Sequence, residues 1–222
     1  MPEPEADAPS SIPDFFASHV ANQPDKLAVI GMDRSLTYGQ LFTQASALAK
    51  GLYRLGLRPG DHAALMTYNL PEYSEISAAI NLLSAGLIMI GYRSKPPEIE
   101  YIVDNSDAKI VIFYQDFADR IVPYRDRYKK LLPSGFISFG DSSIDGATDL
   151  KSLMIDPPDV DLENLPPPEK PATSMIYTSG TTGQPKGAAR GGNTGDRTGA
   201  MEYLFSLLGI LKLAADEVHL VC

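Results

Sequence analysis

Residues 174 to 187 read SMIYTSGTTGQPKG, and the fold turns on how this stretch divides. Ser174 to Thr178 sets Met175, Ile176 and Tyr177 in a row, a strand of ordinary length. The following run is built from glycines and hydroxyls. Gly180, Gly183 and Gly187 let the backbone approach a ligand closely. Thr178, Ser179, Thr181 and Thr182 offer four hydroxyls, each able to donate to a phosphate oxygen. Successive backbone N–H groups in such a loop form an anion-binding concavity, and Lys186 adds a full positive charge. A loop that follows an apolar strand falls at the carboxyl edge of a sheet, where open α/β folds bind ligands. It is not the common P-loop of kinases and ATPases. That motif needs Gly-Lys followed by Ser or Thr, whereas Pro185 precedes Lys186 here and Gly187 follows it. A phosphate remains the expected ligand.

Working outward, strands alternate with helices. Leu36 to Gly60 has a helical pattern, with Thr37 as cap and Leu41, Ala45, Leu48, Ala49, Leu52 and Leu55 recurring at helical spacing. Gly56 ends it, and Arg58-Pro59-Gly60 turns the chain. Ala63 to Met66 reads as a buried strand. Asn69 and Pro71 open a second helix, with Ile76, Ala79, Ile80 and Leu83 on one face and Gly86 closing it. Leu87 to Ile90 is a strand, and a short helix follows around Pro97 to Val103. Lys109 to Tyr114 is the clearest strand, Gln115 to Leu131 reads as a helix kinked at Pro123, and Phe136 to Phe139 is a further strand. This order predicts an α/β fold with a mostly parallel sheet flanked by helices. The expected organisation is a disordered tail (1–11), a first α/β subdomain (12–154), a proline-rich linker (155–171) and the start of a second α/β subdomain with the phosphate loop (172–222). In that last part a helix is expected at 199–213 and a strand at 218–222.

Composition narrows the function. Apolar residues make up 44% of the 222 residues and charged residues 21%, as in ordinary globular proteins. The formal net charge is -9, and nucleic-acid binding is excluded for want of a basic cluster. The nearest basic run, Arg125, Arg127, Lys129 and Lys130, is interleaved with Asp126 and Tyr128 and reads as a solvated helix face. The single cysteine, Cys222, rules out a disulfide within the chain. His19, His62 and His219 lie far apart, with no metal-type spacing. No apolar run reaches the ~18 residues of a membrane span, and the N-terminus has no secretory pattern, so a cytoplasmic protein is expected.

The run Tyr177 to Gly187 resembles the phosphate-binding motif of the adenylate-forming superfamily, which includes acyl-CoA synthetases, luciferases and peptide-synthetase adenylation domains. Leu36-Thr37-Tyr38-Gly39-Gln40-Leu41 resembles that family's first short motif, with Gln40 in place of Glu. Leu83 to Gly86, Pro97 to Ile102 and Asp104 to Lys109 resemble its next segment. The likeness runs from Ile12 to Cys222 and implies part of the large N-terminal domain of such an enzyme. It further implies ATP-dependent activation of a carboxylic acid, with a fatty acid the preferred choice, to an acyl-adenylate and then a CoA thioester. ATP, Mg²⁺ and coenzyme A are the implied cofactors and co-substrates. By resemblance, Thr178 sits near Mg²⁺, Ser179, Gly180, Thr181, Thr182 and Gly183 wrap the β- and γ-phosphates, and Lys186 adds charge or orders the loop.

The family's later motifs have no match, among them the acid pocket, the adenine site and a catalytic lysine in a C-terminal lid. The sequence therefore reads as a truncated piece, inactive alone, whose catalytic residues lie elsewhere. The family's histidine after Pro-Lys-Gly is also lacking: Ala188 to Asn193 stand there instead. A nucleotide-binding or interaction module without catalysis, and a peptide-synthetase adenylation domain, stay open as alternatives. The apolar residues spread around 199–213, with the strand at 218–222, lead to the expectation of a homodimer, which light scattering would refute by finding a clean monomer.

Overall fold

The protein's structure is a computed structural model that describes residues 12–170, 172, 174–178 and 186–190. The expected tail at 1–11, most of the phosphate loop (179–185), the helix at 199–213 and the strand at 218–222 lie outside the described residues, as does the basis for the homodimer.

The chain enters through helix α1 (Ile12–Asn22) and a short antiparallel hairpin, β1 (Leu27–Ile30) and β2 (Ser35–Thr37). Helix α2 (Tyr38–Leu55) starts where the sequence places it. Thr37 Oγ1 accepts from the Gln40 N–H at 3.2 Å, and Gln40 Oε1 accepts from the Thr37 N–H at 3.0 Å. This reciprocal capping needs only an acceptor oxygen, so glutamine serves where the family motif has glutamate. Gly56, at φ 111°, caps the other end in the left-handed conformation.

Strand β3 (His62–Met66), helix α3 (Pro71–Leu82), strand β4 (Gly86–Ile90), helix α4 (Pro96–Asn105) and strand β5 (Ala108–Tyr114) then alternate. Pro71 occupies the first turn of α3, after Leu70 rather than Asn69. Gly86 does not close that helix. The chain turns at Ser84, at φ 52°, and Gly86 already belongs to β4. The segment after β5 is not the single kinked helix that its sequence suggests. It breaks into a 3₁₀ turn (Gln115–Phe117), the short helix α5 (Ala118–Ile121) and a second 3₁₀ segment (Val122–Arg127). Pro123 offers no N–H for a continuous helix. Of the basic run, Arg125 and Arg127 sit exposed in the second 3₁₀ segment, and Lys129 and Lys130 lie exposed beyond it rather than on the same helix. Arg125 donates to the Gly146 carbonyl at 2.6 Å and stacks over Phe136, Arg127 pairs with Glu100 at 3.6 Å, and Lys130 pairs with Asp107.

Strand β6 (Phe136–Phe139), the two-residue β7 (Thr148–Asp149) and helix α6 (Leu150–Met154) complete this part. Residues 155–170 carry no helix or strand, and Leu162 and Leu165 pack against the core. Strand β8 (Ser174–Thr178) then joins the same sheet beside β4, and β9 (Lys186–Arg190) pairs with β8. The strand at Lys186–Arg190 was not foreseen. Lys-Gly-Ala-Ala-Arg has little strand propensity, and pairing with β8 holds it extended.

The sheet order is β7-β6-β5-β3-β4-β8-β9, parallel throughout except for the antiparallel pair β8–β9. Both faces are covered. Leu65, Ile110, Ile112 and Ile137 point to α2, α3 and α6. Met66, Val111, Phe113 and Phe136 point to α4 and α5. Burial on both sides explains why β5 is a continuous apolar run. No helix among the described residues is long and apolar enough to cross a membrane.

Candidate functional site

The topology fixes one end of the sheet as the place for a ligand. From β3 the chain crosses over through α3 to β4, and from β5 it crosses in the opposite direction, over the other face, to β6. The reversal falls between the neighbours β3 and β5. Outside the carboxyl ends of strands, at such a switch, open α/β sheets have a crevice. Here the crevice is lined by rings. Tyr68, just past β3, lies 5.8 Å from Tyr92, 5.8 Å from Tyr114 and 4.9 Å from Phe117 between ring centroids. Burial raises the Tyr114 phenol, with Asp116 and Asp141 adding to the shift, so it stays neutral.

Two cavities flank this cluster. One, of about 590 Å³, is bounded by Arg34, Leu70, Glu72, Tyr114, Phe139 and Met154 among others. Its charged wall is a network: Arg34 donates to Glu75 through both terminal nitrogens, pairs with Glu72 at 3.0 Å and reaches Gln44 at 3.3 Å. The bond to Glu75 is the main cause holding the guanidinium above its ordinary pKa. The second cavity, of about 650 Å³, is lined by Tyr68, Tyr92, Arg93, Lys95, Arg120 and Tyr124 with neighbours. Arg120 donates to the Tyr92 carbonyl at 2.9 Å, and Arg93 lies 4.9 Å over the Tyr92 ring. Three cations and three tyrosines around one groove suit an anionic ligand that also carries an aromatic ring.

β8 ends on the same edge, next to β4. Thr178, its last residue, is the register partner of Lys186, the first residue of β9. Strand pairing thus sets Thr178 and Lys186, the residues on either side of 179–185, next to each other. Of the residues expected to bind phosphate, Thr178 and Lys186 are placed on the sheet, while Ser179, Gly180, Thr181, Thr182 and Gly183 lie outside the described residues. Tyr177 packs against α4. Asn105 Nδ2 donates to its hydroxyl at 2.9 Å, and the Tyr101 ring meets its ring edge-on at 6.4 Å. Among the described residues no group of three or more His, Cys, Asp or Glu could hold a metal ion. His19 stacks on Tyr38 at 5.1 Å.

The match to known families decides what this arrangement belongs to. Residues 16–191 match the AMP-binding enzyme family. This chain is a member of that family. Among curated relatives of this AMP-binding protein, the 2-succinylbenzoate–CoA ligase of Bacillus licheniformis is 26% identical over 208 residues, covering 92% of this chain and 38% of the relative. A medium/long-chain-fatty-acid–CoA/3-oxocholest-4-en-26-oate–CoA ligase of Mycobacterium marinum is 32% identical, covering 80% and 33%. The crystal structure of the anthranilate CoA ligase AuaEII in complex with anthranoyl-AMP superposes with a TM-score of 0.72 at 26% identity, over 81% of this chain and 34% of that one. The chain therefore spans about a third of the length of the relatives it matches.

The groove of Tyr68, Tyr92, Arg93, Lys95 and Arg120 escaped the sequence reading. Its residues come from three separate segments with no common motif, so no local signal could have assembled them.

Proposed function

We propose that this chain is the phosphate-binding part of an acid–CoA ligase acting through an acyl-adenylate. The observation that carries the reading is the pairing of Thr178 with Lys186 at the carboxyl edge, inside the segment that matches the AMP-binding family. In the first step a carboxylate oxygen attacks the α-phosphorus of ATP, the bond to the β-phosphate breaks, and pyrophosphate leaves. Charge grows on the departing group, where pre-placed donors stabilise it most. Lys186 supplies a charge there, and Thr178 with the hydroxyls and backbone N–H groups of Ser179 to Gly183 supplies donors. Mg²⁺ would neutralise phosphate oxygens, with Thr178 as the candidate ligand from this chain. In the second step the thiol sulfur of CoA attacks the acyl carbon, AMP leaves, and the thiol proton passes to solvent.

The groove around Tyr92 and Arg120 is our assignment for the nucleotide end of CoA. That part of the molecule carries phosphates and an adenine, which match the cations and rings. The acid we assign is a fatty acid, supported by the Mycobacterium marinum relative, although the relatives also name 2-succinylbenzoate.

The test is pyrophosphate exchange in the full-length protein. Lys186→Ala and Thr178→Ala each remove a charge-assisted phosphate contact worth about 1.5–3 kcal/mol. Exchange should fall about tenfold to a hundredfold, with the fold intact. Unchanged exchange in both variants would sink the assignment.

A further inference from the structure

We infer that Asn105 and Tyr101, on helix α4, are positioning residues for the phosphate loop, acting through Tyr177. The inference rests on the proposed function and extends it to residues outside the loop motif.

Tyr177 is the last residue before Thr178, and its side chain is held from three sides. Asn105 Nδ2 donates to the phenol oxygen at 2.9 Å. The phenol hydroxyl donates in turn to Met175 Sδ at 3.9 Å, so the ring leans back along β8. The Tyr101 ring meets it edge-on. Tyr101 and Asn105 are four residues apart on one helix, hence on one face. Asn105 reaches Tyr177 across 72 residues of sequence, and Tyr101 reaches the same ring.

The sheet alone holds the end of β8 weakly. On the β4 side the register pairs Ile88 with Met175 and Met89 with Ile176, one residue short of Tyr177. On the other side Tyr177 pairs with Gly187 and Thr178 with Lys186, but β9 has no further strand beside it among the described residues. The anchor from α4 supplies what the β4 ladder does not. A donor placed a fraction of an ångström out of line loses much of its value in a transition state, so fixing Tyr177 fixes where Thr178 starts the loop.

The experiment uses the full-length protein carrying Asn105→Ala, Tyr177→Phe, Asn105→Asp and the double variant Asn105→Ala/Tyr177→Phe. Calorimetry gives the Kd for MgATP, and pyrophosphate exchange gives KM for ATP and for the acid. One neutral hydrogen bond corresponds to a change of about three- to tenfold. Asn105→Ala and Tyr177→Phe should each weaken MgATP binding by that factor and leave the KM for the acid unchanged. The double variant should be no worse than Tyr177→Phe, because both changes remove one linkage. Asn105→Asp, whose carboxylate accepts from the phenol, should stay within about twofold of the parent. A merely structural role would lower Tm without moving ATP against acid. Unchanged MgATP affinity in the first two variants, or an equal rise in both KM values, overturns the inference. If the parent binds MgATP but exchanges no pyrophosphate, the ligase reading fails while the affinities still decide the positioning role.

Discussion

Glu75 is the one buried carboxylate among the described residues, 3% exposed. A charge in that position is tolerated only when its lone pairs are met. Arg34 meets them: Nη1 donates to Oε1 at 3.0 Å and Nη2 to Oε2, in the fork geometry that a carboxylate matches. Arg34 lies in the β1–β2 turn and Glu75 on α3, so the pair pins the hairpin to the helix. Loss of one partner from a fully buried pair costs about 3–5 kcal/mol. The Arg34 side chain is 35% exposed, so water recovers part of that loss. Glu75→Gln should therefore destabilise the fold by about 1–3 kcal/mol, read as a lower urea midpoint. A midpoint that does not move in Glu75→Gln would show that the pair contributes nothing.

Helix α2 shows how one element can be legible and still hold a constraint that sequence does not reveal. Its start, its buried stripe and its Gly56 stop are local features, and all were readable. Gly51 lies inside the helix, where alanine is normally better by about 1 kcal/mol. Yet a Cβ there would lie 2.8 Å from Leu153 Cβ and closer still to the Leu153 carbonyl oxygen. The clash is with backbone of α6, which has no rotamer to yield, and overpacking costs about 1–3 kcal/mol. The clash wins, so Gly51→Ala should lower Tm by about 2–8 °C. A raised Tm would mean that α6 moves away freely. The same division explains the other elements. β3, β5 and β6 were readable because two-sided burial makes each an apolar run. The β1–β2 hairpin, of four and three residues, is too short to show a period, and its Leu27 and Ile30 are exposed. β9 exists through its partner. The segment after β5 misled because Phe117, Ile121 and Tyr128 are all buried, and their spacing mimics a helix that Pro123 interrupts.

At the scale of the whole molecule, Thr178 at the end of β8 and the basic groove past the end of β4 lie on one edge of one sheet. The candidate phosphate loop could be proposed from sequence because its glycines and hydroxyls are contiguous. The groove could not, since the crossovers after β3, β4 and β5 assemble Tyr68, Arg93 and Arg120. On the proposed function the loop and the groove would serve two halves of one reaction, and these can be separated. The first half needs ATP and the acid and is read by pyrophosphate exchange. The second needs CoA and is read by thioester formation. Arg120 is bonded to the Tyr92 carbonyl and lies 5.5 Å over Phe117, so it is held in place before any ligand arrives and loses little freedom on binding. If the groove takes CoA as proposed, replacing Arg120 removes a charge-assisted contact to a phosphate, worth about 1.5–3 kcal/mol. Arg120→Ala in the full-length protein should therefore raise the KM for CoA about tenfold or more, while pyrophosphate exchange stays within about twofold of the parent. Arg93→Ala should act in the same direction but less, because among the described residues Arg93 is held by the ring of its neighbour alone. A fall in exchange as large as the fall in thioester formation would place Arg120 in the first half-reaction, and the groove would then belong to ATP or the acid.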